Sequence, residues 1–401
     1  MLTTAGHLTY CTNIHPGESW EKHFAAIRQH FLFIKNRLSP ANALGIGLRL
    51  SHIASLELVK EEQMNEFRSW LQDNNAYVFT MNGFPYGGFH HTRVKDHVHS
   101  PDWSTKERLE YTLRLFDVLS GLLPPGLDGG VSTSPLSYRH WFRKNAENTG
   151  LKKVATENIL LVAEKLIRIR QTTGQLLHLD IEPEPDGIIE SGPEFLEWFN
   201  EYLLPIGIPK ISTTFGVPAG EAAELIKAHI GVCYDVCHFS VGYENHAGII
   251  HEFIQQGIRI GRIQISAALK AEFSGGKPGR PEIASAFAAF DEPTYLHQVV
   301  ALTNEDTLIR YSDLPEALAD AGNTLVKAWR AHFHVPVFEE NFGVLQSTQS
   351  DITEVLELQK NLSFTQHLEV ETYTWDVLPE NLKLPSHESI TRELEWVLSK
   401  L

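Results

Sequence analysis

QLLHLDIEPEPDG, residues 175–187, is the stretch on which the fold turns. An apolar run carrying one histidine ends in Asp180, Glu182, Glu184 and Asp186, four carboxylates within seven positions. Read as a strand, Leu176–Ile181 sends alternate side chains to opposite faces. Leu177, Leu179 and Ile181 then share one face, and His178, Asp180 and Glu182 share the other. A polar, acidic face on an otherwise buried strand points to a bound cation or an acid–base site.

Outward from this stretch, strands and helices alternate. Towards the N-terminus, Leu8–His15, Leu44–Leu50, Ala76–Asn82 and Asp128–Thr133 read as strands one to four, which makes the opening stretch the fifth. Trp20–Leu38 carries Trp20, Phe24, Ile27, Phe31 and Ile34 at helical spacing. Further helices are expected at about 56–72, after a Ser104/Glu107 capping box, and at 152–170. Towards the C-terminus, Gly231–His238 and Arg259–Ser266 are the sixth and seventh strands. Serial strand–helix units of this kind specify a parallel α/β fold, here a (β/α)8 TIM barrel over residues 1–401. No GxGxxG or GxxxxGK[ST] follows any strand, which argues against a doubly wound nucleotide-binding sheet.

After strand seven the rhythm breaks. Residues at about 270–330 read as an insertion holding a Gly/Pro loop, a hairpin of Val299–Leu302 with Thr307–Tyr311, and a helix from about Pro315. Two segments compete for the eighth barrel position, AHFHVPV (331–337) and LEVET (368–372). LEVET is taken as the eighth strand and AHFHVPV as an accessory segment of the insertion. A long loop at 83–102 carries His90, His91, His97 and His99, and its aromatics and prolines suggest an ordered lid.

Composition narrows the function classes. The net charge is −16, from 50 acidic and 34 basic residues, which disfavours nucleic acid and anionic lipid as partners. The three cysteines are too few for a disulfide framework, no basic-then-apolar leader opens the chain, and no apolar run is long enough to cross a membrane. These features lead to the expectation of a cytoplasmic protein acting on a small-molecule metabolite.

In a barrel, chemistry sits at the C-terminal ends of the strands. The polar residues there are Glu182, Asp235, Gln264 and Glu371, with Glu369 one layer below Glu371. Carboxylates grouped in a barrel repel one another unless a cation compensates, so a divalent metal (Mn, Mg, Co or Zn) is preferred to a bare acid–base pair. The four are the candidate metal ligands, and Glu182 and Glu371 the candidate proton carriers. Candidate substrate contacts are Asn13 and His15 after strand one, Arg49 in strand two, His97 and His99 of the lid, His238, and His334, which shares a face with His332. Each has a structural alternative. Asp235 competes for an ion pair with Arg49 or Arg262, one of Glu369 and Glu371 competes for Arg262, and His238 and Gln264 suit the core.

The set Glu182, Asp235-x-x-His238, a polar strand-seven residue and Glu371 resembles the xylose-isomerase-like TIM-barrel superfamily, where Glu, Asp, His and Glu surround a divalent metal. Gln264 stands where sugar epimerases have the histidine. The phrases NGFPYGGFH, VCYDVCH, GRIQISAAL, HFHVPVF and LEVETYTWDVLP are similar to the EboE family of metabolite traffic proteins. That resemblance implies a functional link to a UbiA-like prenyltransferase system and the movement of small-molecule precursors. Two functions therefore stand as expectations: a metal-dependent isomerase or epimerase of a small polar metabolite, and a non-catalytic carrier using the same barrel site. Metal-assisted phosphodiester cleavage is a third, and it requires a basic patch at the barrel mouth.

Overall fold

The computed structural model describes residues 1–90, 93–142, 145–273, 278–378, 383 and 385–401. Eight parallel strands make the barrel: β1 (Gly6–Tyr10), β2 (Leu44–Arg49), β3 (Ala76–Asn82), β4 (Gly129–Thr133), β5 (Leu177–Ile181), β6 (Ile230–Asp235), β7 (Ile260–Ile265) and β8 (His367–Val370). Each pairs in parallel with its neighbour from β2 to β8, and β8 pairs with β1. A parallel bridge between Cys11 and Gly47 joins the two ends of the sheet. The barrel has its expected strands, and LEVET supplies the eighth.

Helices pack outside with the caps the sequence provides. Ser19 caps Trp20–Leu38, and Ser191 caps Gly192–Trp198 with proline in the first turn. Three local readings are corrected. Residues 56–72 hold two helices, His52–Leu58 and Glu61–Asp73, with Lys60 between them. The cap of Lys106–Leu122 is Thr105, whose hydroxyl accepts from the Arg108 amide, while the Ser104 hydroxyl turns to Asp102. The sixth strand stops at Asp235, because that side chain caps a short helix, Val236–Val241, which carries His238.

The barrel interior is unusually polar below its mouth. Arg262 donates to Glu369 at 2.8 Å and to the carbonyls of Met81 and Gly130, with both side chains fully buried. Glycines make room for these groups: a Cβ on Gly261 would lie 1.9 Å from an Asp180 oxygen, and one on Gly47 would lie 2.8 Å from Glu369. Glu369 is therefore the partner of Arg262, and Asp235 pairs with neither arginine. Truncating Glu369→Ala strands a buried guanidinium and is expected to lower unfolding stability by about 3–5 kcal/mol, read from urea midpoints.

The insertion builds a second, antiparallel sheet beside the barrel mouth. Ala267–Glu272 follows β7 after one residue and pairs with Val326–Val335, which also pairs with Val299–Thr303. AHFHVPV lies in and just beyond Val326–Val335, so it is accessory to the barrel. Residues 274–277 of the Gly/Pro loop lie outside the described residues. The 83–102 loop is pinned over the mouth from both sides. The Val94 and Lys95 amides donate to the Thr294 carbonyl at 2.8 and 2.9 Å, and the Tyr295 hydroxyl donates to the Phe89 carbonyl at 2.9 Å. At its base, the buried Arg108 donates to the carbonyls of Gly83 and Phe84. His91 of this loop lies outside the described residues.

Candidate metal centre

Every group at the mouth arrives from the end of an element. Glu182 follows β5, its amide held by the Thr133 carbonyl at 3.0 Å. Asp235 ends β6, and one of its oxygens accepts from the His238 amide at 3.2 Å and the Ser266 hydroxyl at 2.7 Å. Glu371 follows β8. Its Oε1 accepts from Asn13 at 2.7 Å and Asn82 at 2.6 Å, and its Oε2 accepts from the Gln264 amide. His334 comes from the accessory sheet and lies 3.8 Å from Asp235 and 3.6 Å from Glu371.

Oxygen atoms of Glu182, Asp235 and Glu371 lie within 4.8 Å of one another, as do ligand atoms of Asp235, His238 and His334. Glu182 Oε2, Asp235 Oδ2 and His334 Nε2 are buried without a hydrogen-bond partner. Unpartnered lone-pair atoms on residues of two groups that share Asp235 match what a divalent cation takes. Burial, then the charges of Glu371 and Asp235, push the Glu182 carboxyl well above the usual range. Burial and Asp235 do the same to Glu371. A cation would cancel that repulsion.

The imidazoles add a second line of argument. Each turns Nδ1 to an oxygen: His334 to the Glu371 carbonyl at 3.0 Å, His238 to the Pro183 carbonyl at 2.9 Å and His332 to the Gln298 side-chain oxygen at 2.8 Å. The Gln298 amide is set by its own bond to the Pro185 carbonyl at 3.0 Å. Nδ1 therefore carries the proton and Nε2 the lone pair in all three. Burial holds His334 down to about 4 and keeps His238 and His332 below their ordinary values, so the rings are neutral. His238 and His332 consequently point lone pairs at each other across 3.2 Å, with Glu184 close by. Positive charge, as a shared proton or a cation, is what such a pair accommodates.

The other candidates fall outside this ring. Gln264 is corrected from ligand to support: its NH2 serves Glu371 and its oxygen accepts the Cys233 thiol, so no oxygen faces the group. Beside these carboxylates the imidazole is that of His334, from the accessory sheet rather than strand seven. His15 is buried against Tyr10 and stacked on His30, away from the cavity. Arg49 is buried beneath the lid, paired with Glu18 at 3.4 Å and bonded to the Gly87 carbonyl, and so braces the loop. His97 is exposed, and its neighbours form the outer face of the lid. His99 lies behind the wall against Phe84 and Tyr138, 3.8 Å from Glu184.

Asn13, Glu182, His238, His334 and Glu371 line one cavity of about 50 Å³. Sequence reasoning missed Asn82, Glu184 and the aromatic wall of that cavity. Asn82 ends β3 and was open to the same strand-end logic as Glu182. Lys95 is the only cation among the described lining residues, and Asp313 holds it at 2.6 Å. The basic patch that phosphodiester chemistry requires is not among the described residues of this mouth. Another His–Asp group, Asp128 with His178 and His367, sits at the opposite end of the barrel. There the Arg259 guanidinium, 3.1 Å from Asp128, already supplies positive charge.

Comparison with solved structures places this architecture. A xylose isomerase-like TIM barrel protein from Mycobacterium smegmatis, in complex with magnesium, is 10% identical, with 100% of this chain and 98% of that chain covered and a TM-score of 0.51. The fold is a (β/α)8 TIM barrel, similar to that of this xylose isomerase-like protein. A structure of the IolI protein with a bound zinc atom is 12% identical, covers 98% and 97%, and has a TM-score of 0.48. No family model matches the chain. No curated protein matches it either. At such identities the likeness is one of fold alone.

Proposed function

We propose that this barrel binds a divalent metal through Glu182, Asp235, His334 and Glu371 and moves a proton next to a carbonyl of a small metabolite, as an isomerase or epimerase does. The observation that carries the reading is that two ligand groups, Glu182 with Asp235 and Glu371, and Asp235 with His238 and His334, share Asp235, while Glu182 Oε2, Asp235 Oδ2 and His334 Nε2 are buried without a partner. Bound there, a divalent ion would supply a seat for two adjacent substrate oxygens and polarise the carbonyl.

The carboxylates divide into two roles. Glu371 receives three amide hydrogens, from Asn13, Asn82 and Gln264, which fix its position, and with a cation present it would be the anion that holds the ion. With Oε2 given to the ion, Oε1 of Glu182 would be the oxygen that accepts and returns a proton at the carbon beside the carbonyl. His238, held through Nδ1 by Pro183, orients a substrate hydroxyl. The magnesium in the similar Mycobacterium smegmatis structure supports the donor set as a metal site.

Metal analysis with anomalous scattering tests the site. Metal-replete protein is expected to show one ion among Glu182, Asp235, His334 and Glu371, and an ion-free site in such crystals would sink the reading. Solvent deuterium washing into a bound hydroxy-carbonyl compound tests the chemistry. The pinned lid favours a second reading, a carrier that encloses its ligand as the EboE resemblance implies, linked to a UbiA-like system. A stable complex that returns its ligand unchanged after long incubation in deuterated solvent selects the carrier.

A further inference from the structure

The cavity has two unlike ends. Its floor is the carboxylate and imidazole group. Its upper wall is Phe84, Phe89, Val94, Val98, Tyr295 and Tyr373. Phe84, Phe89, Val94 and Tyr295 are each 5–6% exposed, so this wall is built into the protein. The rings of Phe89, Tyr295 and Tyr373 form a mutual cluster with centroids 5.0–5.3 Å apart. Tyr373 also lies 4.6 Å from the ring of His334, which joins the aromatic cluster directly to the metal ligands. Two polar groups of the wall are engaged: the Tyr295 hydroxyl donates to the Phe89 carbonyl, and Lys95 is held by Asp313, which leaves the Tyr373 hydroxyl as the wall's polar point near the floor.

We infer that the ligand is amphipathic, with a chelating head of two adjacent oxygens and a flat apolar or aromatic body, and is not a free sugar. This rests on the proposed metal site and specifies what that site takes. A sugar carries hydroxyls along its whole length. Each one set against this wall would give up water without finding a partner, at a cost of about tenfold in affinity. A flat apolar body gains there instead, through burial and ring contacts. The acidic floor and the engaged Lys95 also disfavour a phosphorylated or carboxylated body.

The test uses two hydroxamates with the same chelating head. Cobalt(II)-loaded protein is titrated with acetohydroxamate and with benzohydroxamate, and the visible spectrum of the ion reports binding. Benzohydroxamate is expected to bind about tenfold or more tightly. Phe89→Ala should bring the ratio of the two affinities towards one, and Val98→Thr, which keeps its shape, should lower it by a smaller factor. Equal affinities in the wild type overturn the inference and leave the metal site standing, since both compounds chelate. Failure of the protein to take up cobalt, manganese, zinc or magnesium overturns the metal reading, and the inference with it.

Discussion

Glu182→Gln is expected to lower divalent-ion affinity by about 100-fold or more, while the metal-free variant is more stable than the metal-free wild type at neutral and alkaline pH. The first effect follows from removing an anionic ligand, since disturbing only the partners behind a ligand already costs about 10–100-fold. The second follows from crowding. Glu182 is 4% exposed and shares its space with Asp235 and Glu371, which with burial push its carboxyl well above the usual range. A neutral amide of the same shape removes that repulsion. A residue that weakens the resting fold and is useful only with a cation present is what a binding site retains. For any reaction found at the site, the variant should lose about 10²–10⁴ in turnover, the span of general acid–base catalysis. His97→Ala is the control, because that ring is exposed on the outer face of the lid. Unchanged metal affinity in Glu182→Gln would remove the glutamate from the site. A less stable metal-free variant would show that the carboxylate serves structure.

Most of the barrel was legible because its signals are local. Ala76–Asn82 and Trp20–Leu38 have the bounds their hydrophobic spacing implies. The competition between AHFHVPV and LEVET was open to the same reasoning, since HLEV continues the polar layer that Arg262 begins in β7. The losses are of two kinds. A side chain that bonds its own backbone can override hydrophobic pattern: Asp235 caps a helix and so ends the strand that VCYDVCH suggests. Position at a strand end also fixes which residues reach the mouth and says nothing about their partners. His15, Arg49 and Gln264 all sit at such ends or one layer below, and each is spoken for by Tyr10, the lid or Glu371. The role of His334 is the deepest case. It reaches the centre through the pairing of Val326–Val335 with Ala267–Glu272, a long-range contact with no local signature.

Without metal, thermal stability should fall between about pH 7 and pH 8.5, and a saturating divalent ion should remove most of that fall. Glu182, Glu184 and Glu371 all have native values raised well above 4.5, chiefly by burial. Above the ordinary carboxylate range, and until pH passes the raised native values, the native state holds protons that the unfolded chain has released. Stability from such groups is complete below their ordinary value and drains away as pH rises through the native one. The buried histidines act in the opposite sense at lower pH. His334, held to about 4, and His332, held well below 6.5, are neutral in the native state, so the unfolded chain gains protons as pH falls below about 6.5. Above that point imidazoles are neutral in both states, and the carboxylates set the slope. Glu244 and Glu393 are pushed up to about 8 by burial and lie outside the cavity lining, so their share of the slope survives metal loading. The ion must displace the protons on the mouth carboxylates, so its affinity should climb over the same interval. At 100 times its dissociation constant it should add about 2.7 kcal/mol of stability. Melting curves at fixed metal across this range give the answer. A metal-free slope no steeper than Glu244 and Glu393 account for would mean that the mouth carboxylates are ionised in the native state. A metal effect equal at both ends of the range would mean that the ion binds elsewhere.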